Sequence, residues 1–318
     1  MPTTNPQNTP TLQIDHSPAY ELLVSFFAYT RKTHHKSMDA GTPWIRETRK
    51  TLPPAFAARL DDLGSSISTL FHGFDFLIHQ CPPEHRTTAA AFLTWAASLP
   101  VGDLFQLLAP YVDVPADIVS LRDQCVDLLH HWNAEYFQTL DPSILQALAA
   151  DAEQKNTLLG TLPDMDVIEL ATNGVRYEVT PELRTILLVP QYHLRPISTM
   201  TKYNTSMSIY YSIDLPAPAD GGPAPALLRL TKSLGEESRL RLLRFIGSGP
   251  DSTRSFTEVV QSAGLSMSTV HHHLMALRGA GLITAHGEGN VTYYTLRRDT
   301  VSRLSHDLLS YFLPDSAE

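Results

Sequence analysis

Between residues 255 and 290 the chain gathers hydrogen-bonding side chains close to one another. Ser266-Met267-Ser268-Thr269 is followed by His271 and His272, then by Met275 and Arg278. Hydroxyls, imidazoles and a guanidinium at this spacing can donate to phosphate oxygens or read base edges, and Met275 offers an apolar contact for a thymine methyl group. The run His271-His272-His273 also invites a metal reading. Consecutive helical residues point about 100° apart, however, and imidazoles that share an ion want i, i+4 spacing, so the three rings cannot converge. No metal is expected here. His271 and His272 are expected to face outward and His273 to pack inward.

The flanking residues specify what positions this set. Ser255-x-x-Glu258 is a capping box, in which serine and glutamate satisfy each other's orphan amides, and Phe256, Val259, Val260 and Ala263 supply an apolar stripe. Gly264-Leu265-Ser266 predicts a tight turn: the glycine takes a left-handed conformation, the leucine plugs the space between helices, and the serine caps the second helix. In that second helix Val270, Leu274 and Leu277 fall at i, i+4 and i+7 and are expected to pack inward. Gly279-Ala280-Gly281 stops it. Ile283–His286 and Val291–Leu296 then form a hairpin about Gly287-Glu288-Gly289-Asn290. This order is a winged helix-turn-helix, which presents its second helix end-first to the major groove of double-stranded DNA. From the hairpin, His286 and Asn290 join the candidate DNA contacts.

The charge distribution bears on this reading. The chain of 318 residues carries a net charge of −9, yet from Ala226 onward it has 9 acidic and 10 basic residues, against 24 and 14 before it. The acidity lies in the N-terminal part, and the nearly neutral C-terminal part should attract phosphate modestly and in a salt-sensitive way. Cys81 and Cys125 are isolated and read as core residues. The start of the chain lacks a charged-then-apolar export pattern, and no run of about eighteen uncharged apolar residues occurs, so a cytoplasmic protein without a membrane partner is expected.

Length favours two domains, and the fold class expected is α+β, mainly helical. Residues 1–12 read as a disordered tail and 13–215 as a helical N-terminal domain with a small sheet. Residues 216–225, with four prolines and a glycine pair, read as a linker, and 226–318 as the DNA-binding domain. Leu22, Leu23, Phe26 and Phe27 recur at helical spacing, as do Leu60, Leu63, Ile67, Leu70, Phe71 and Phe74. Further helices are expected around 89–98, 102–108, 118–140 and 142–159. Val167–Leu170 and Val175–Val179 flank Thr172-Asn173-Gly174, a hairpin signal, and Ile186–Val189 and Ile209–Ile213 read as further strands. The aromatic residues Tyr20, Phe26, Phe27, Tyr29, Phe71, Phe74, Phe76, Trp95, Trp132 and Tyr136 read first as core, with pocket lining as the alternative. The pairs His34-His35 and His130-His131 read as solvated or helix-end residues.

Four ordered blocks resemble the ArsR-type bacterial repressors. They are Leu234–Leu243, Leu265–Leu274, Leu277–Ile283 and Tyr293–Leu296, and the resemblance covers residues 226–312. It implies a homodimeric winged-helix repressor that reads a pseudo-palindromic operator, with the first and last helices of the domain forming the dimer interface. Leu227 and Leu230 on the first helix, and Val301, Leu304, Leu308 and Phe312 on the last, are the corresponding candidates. Metal-sensing members carry a Cys-x-Cys near the positioning helix or an Asp/His set on the last helix. Here the positioning helix has no cysteine, and Asp299 and His306 do not complete a set, so no metal or cofactor is expected. The wing also departs from the family's arginine-bearing tip, offering Glu288 and Asn290, with His286 and Arg297-Arg298 as nearby donors.

Regulation is expected through the N-terminal domain, by an unidentified small-molecule effector or by dimer geometry. Enzyme signatures are missing: there is no Gly-rich phosphate loop, no His-Glu-x-x-His and no Gly-x-Ser-x-Gly. The competing readings are a winged-helix protein-interaction module or scaffold, and an N-terminal enzyme domain with DNA targeting attached.

Overall fold

The computed structural model describes residues 10–63, 71–217, 220–249 and 252–313. In chain order the elements are β1 (Thr11–Ile14), α1 (Pro18–Thr30), α2 (Gly41–Thr51), α3 (Pro54–Leu63), α4 (Phe74–Gln80), α5 (Ala89–Ser98), α6 (Val101–Leu108), α7 (Ile118–Glu135) and α8 (Pro142–Asn156). There follow α9 (Asp164–Ala171), β2 (Val175–Arg176), β3 (Thr185–Gln191), β4 (Thr199–Lys202), β5 (Ser206–Ser212), α10 (Pro225–Leu234), α11 (Glu237–Gly247) and β6 (Thr253–Ser255). The last are α12 (Phe256–Ala263), α13 (Met267–Gly279), β7 (Ile283–Glu288), β8 (Val291–Leu296) and α14 (Arg298–Phe312). The chain is mainly helical α+β. Among the described residues no single helix is long and apolar enough to cross a membrane.

The chain forms two compact units. The first comprises the chain as far as Thr161 together with Thr180–Ile213, and the second Leu162–Val179 together with the chain from Asp214 onward. This differs from a simple division at the proline-rich segment, because a stretch from the middle of the sequence joins the C-terminal unit. Pro225 is the first residue of α10, where its missing N–H costs nothing, so the helix begins inside the expected linker. Pro218 and Ala219 of that linker, residues 1–9 of the expected tail, and Ile67 and Leu70 lie outside the described residues.

The N-terminal unit is built on a four-stranded sheet in the order β1-β3-β5-β4, with β1, β3 and β5 parallel and β4 antiparallel. Thr11 and Leu12, assigned to the tail from sequence, pair with Thr185 and Ile186 of β3. Leu12 and Ile14 are buried, and this alternation is what ties the segment to the sheet edge. The aromatic set packs as core: Tyr20, Phe26, Phe76 and Trp132 are fully buried, and Phe26 meets Trp132 edge-on at 5.8 Å. The helical run read across Phe71 and Phe74 is broken at Gly73, whose φ of +77° precedes α4. Cys81 and Cys125 are free and buried, and burial pushes the Cys81 thiol up to about 11.

Two acidic side chains of this unit are held in networks of partners. Glu21 of α1 accepts the backbone N–H of Tyr192 at 3.0 Å and of His193 at 3.1 Å and pairs with the His193 ring, whose Nε2 lies 2.7 Å from the Tyr136 hydroxyl. Asp15 accepts hydrogen bonds from Tyr20, His79 and Arg86. Burial pushes its carboxyl up, but His79 and the Arg86 charge outweigh that and hold it below the usual carboxylate range.

Val167–Leu170, read as a strand leading into a hairpin, lies within helix α9 instead. Pro163 precedes it, Asp164 and Asp166 occupy its first turn, and acidic groups there complement the helix dipole. Asn173 and Gly174, with φ of +57° and +107°, end the helix, and the Gly174 amide donates to Glu169 O at 2.9 Å. The Asn-Gly pair is therefore a helix stop and not a hairpin turn. Beyond it, Val175-Arg176 pairs with a strand more than a hundred residues away.

Candidate nucleic-acid interface

The C-terminal unit buries Leu242, Leu243, Ile246, Val259, Val270, Leu274, Leu277, Leu282, Ile283 and Tyr294 in one core. Its sheet runs β2-β7-β8-β6. Around that core the capped helices form as their sequences specify. Ser255 Oγ accepts the Glu258 N–H at 3.3 Å while Glu258 Oε2 accepts the Ser255 N–H at 2.8 Å, completing the capping box that opens α12. These bonds hold the Glu258 carboxyl below its usual range. Gly264, at φ +62°, ends α12, and Ser266 Oγ then accepts the Thr269 N–H at 3.2 Å to start α13. A serine cap of this kind contributes about 1 kcal/mol.

Helix α13 is split cleanly by its two faces. Val270, His273, Leu274 and Leu277 are buried, whereas Met267, Ser268, His271 and His272 are exposed, Met267 at 64%. His273 Nε2 lies 3.5 Å from Glu236 at the start of α11. Ser266 is exposed and Thr269 half-buried, its Oγ1 standing 2.8 Å from Ser266 Oγ, so both hydroxyls also serve the cap. Met275 is half-buried on the flank. Leu265, expected to plug the gap between helices, is instead 37% exposed, because Val259, Val270 and Leu274 already fill the space behind the turn. The exposed tip of α13 thus presents hydroxyls and imidazoles beside the Met267 thioether, and no acidic side chain.

The other candidates are dispersed. Arg278 sits at the far end of α13, half-buried, where burial lowers its pKa and the Tyr294 ring of β8 is its neighbour. That position is one turn or more from the exposed tip. His286 lies on β7, stacked on Tyr293 at 5.3 Å, and Asn290 is exposed at the hairpin tip. Arg297 is turned back into the fold, donating to Asn173 Oδ1 and to Gly281 O at 3.4 Å, and only Arg298 of that pair is exposed.

Sequence reasoning missed the residues that frame the hairpin. β2 pairs parallel with the outer edge of β7, Val175 opposite Ala285 and Arg176 opposite His286, and the Ala285 N–H donates to Gly174 O at 2.7 Å. Glu178 Oε2 accepts the Gly289 N–H at 3.0 Å, and Thr284 Oγ1 donates to Glu169 Oε1 at 3.3 Å. Pro163 and the acidic first turn of α9 were the signals available for a helix here; nothing local named β7 as the partner of β2.

Of the candidate dimer residues, Leu230 is buried within its own unit, and Leu227, Leu304 and Leu308 are half-buried. Val301 and Phe312 are exposed at 40% and 63%, and no residue of α14 is buried.

Residues 234–286 match the family described as "Helix-turn-helix domain". Solved structures similar to the chain include a possible transcriptional regulatory protein (fragment 1–100) from Mycobacterium bovis, 25% identical over 26% of this chain and 88% of that one, with a TM-score of 0.23. Reduced HlyU from Vibrio cholerae is 27% identical over 28% of this chain and 88% of that one, with a TM-score of 0.22. A homodimeric winged helix-turn-helix DNA-binding domain from Mycobacterium bovis, of a possible ArsR-family regulator, is 24% identical over 29% and 82%, with a TM-score of 0.23. No curated protein matches the chain. The capped helix pair, the hairpin and the matched residues define the C-terminal unit as a helix-turn-helix domain. A DNA-binding transcriptional regulator is the class of protein that carries it.

Proposed function

We propose that the protein is an ArsR-type transcriptional repressor that binds a pseudo-palindromic operator as a homodimer and acts by binding, not by turnover. The observation that carries this reading is the exposed tip of α13, with Ser266, Met267, Ser268, His271 and His272 outward, Thr269 half-buried among them, and Val270, Leu274 and Leu277 holding the helix from behind. A helix anchored in that way enters the major groove as a rigid body, its short side chains within reach of base edges. The resemblance of the four sequence blocks to ArsR-type repressors supports the family.

Dimerisation through α14 is supported by its apolar face, since Val301, Leu309 and Phe312 are each at least 40% exposed in the single chain. A second copy would cover them and place two α13 helices on one side of a duplex, with half-sites about one helical turn apart. The N-terminal unit, with its own core and sheet, is the element through which an effector would shift the balance between DNA-competent and incompetent states. A differential affinity of about 1–3 kcal/mol is the usual scale of such coupling. Selection of binding duplexes from a random library, followed by footprinting of the selected sites, tests the reading. Protection of two symmetric half-sites supports it, and absence of binding to every duplex at low salt overturns it.

A further inference from the structure

We propose that Glu178 is a negative determinant of DNA affinity, acting at the tip of the wing; the proposal rests on the DNA-binding reading above. Three observations converge on it. The hairpin from Ile283 to Leu296 contains no lysine or arginine, and its tip carries Glu288. Glu178 follows β2 by two residues, and its carboxylate bonds Gly289, the residue next to Glu288, so two carboxylate-bearing residues stand at one tip. And the amide of Gly289 at the tip, a donor that could otherwise serve a phosphate oxygen, is already occupied by Glu178 Oε2 at 3.0 Å.

Neighbouring cations do not offset this charge. Arg176 is held by Glu169 and by Asp166, at 3.2 Å from the latter, and Arg297 is turned toward Asn173 and Gly281. Glu178 itself is exposed and contributes no core packing. A phosphate approaching the wing therefore meets carboxylates and no free donor at Gly289, and α13 is left to carry the binding. The inserted segment that completes the sheet is also what sets the wing against the duplex.

The test is a fluorescence anisotropy titration of the full chain and two variants, Glu178→Gln and Glu178→Ala. The probe is the strongest duplex selected from a random library, at salt from about 50 to 200 mM. Gln keeps an oxygen for the Gly289 amide and removes only the charge; Ala removes both. Both variants should bind more tightly by about threefold per protomer at the lowest salt, the effect of one unit charge about 7 Å from a phosphate in water. The gain should shrink as salt rises and screening sets in. Unchanged affinity in both variants, with circular dichroism and melting like the parent, overturns the proposal while leaving the DNA-binding reading intact. Failure of parent and variants alike to bind any duplex overturns both.

Discussion

Replacing Ser268 and His272 together by alanine isolates the recognition face, because the two lie one turn apart on the exposed side of α13. Neither side chain supports the core. Ser268 Oγ lies 3.0 Å from Ser266 Oγ, and the cap of α13 is made by Ser266 itself, so the double variant should fold with stability within about 0.5 kcal/mol of the parent. Removing each base contact should cost about 1–3 kcal/mol, which is about 5- to 150-fold in Kd. Because neither residue carries a fixed charge, the dependence of affinity on salt should keep its slope, which separates the removal of a base contact from the removal of a phosphate contact. Anisotropy titrations across a salt series, alongside thermal melts, measure both quantities. A folded double variant that binds the best selected duplex as tightly as the parent does would refute the assignment of this face.

Leu308→Asp places a charge on the apolar stripe of α14, and sedimentation should show a dimer for the parent and a monomer for the variant. Gly174→Ala should destabilise the C-terminal unit by about 2 kcal/mol or more, since φ is +107° and a Cβ would come within 2.9 Å of the Ile283 carbonyl oxygen. Gly287→Ala, with nothing within 4 Å of the new carbon, should melt within a degree or two of the parent, by about the margin of an ordinary surface change. Burial raises the Asp75 carboxyl above its ordinary value of 3.8, although the Tyr203 hydroxyl donates to it at 2.8 Å. A raised folded-state value contributes stability that is full below 3.8 and is lost as pH rises through the folded value. Asp75→Asn should therefore melt higher than the parent at neutral pH, with the advantage fading on acidification; equal melting temperatures at every pH would contradict this.

The DNA-facing unit was legible because its signals are local. Ser255 with Glu258, Gly264 before Ser266, and Val270, Leu274 and Leu277 each act within one or two turns of chain, and each has its counterpart in the structure. What sequence could not supply is the partner of a short strand. Thr172-Asn173-Gly174 carries the composition of a hairpin turn, and the same left-handed residues equally end a helix; the choice was made by Pro163 and two aspartates upstream. The pairing of β2 with β7 is set by tertiary packing across more than a hundred residues, and so is the position of Glu178. Leu12 and Ile14 had an alternating pattern too short to stand out beside a polar tail. The inward turn of Arg297 likewise depends on Asn173, a residue far away in sequence.

Because Leu162–Val179 belongs to the unit that otherwise begins at Asp214, the polypeptide passes between the two units at three points. No single cleavage can release the winged helix whole. A truncated protein starting at Ala226 would leave the outer edge of β7 bare, its amides and carbonyls open to pairing with another chain. Such a fragment should self-associate in a manner foreign to the native protein, whereas one in which residues 162–179 are joined to the C-terminal part by an added tether should stay soluble.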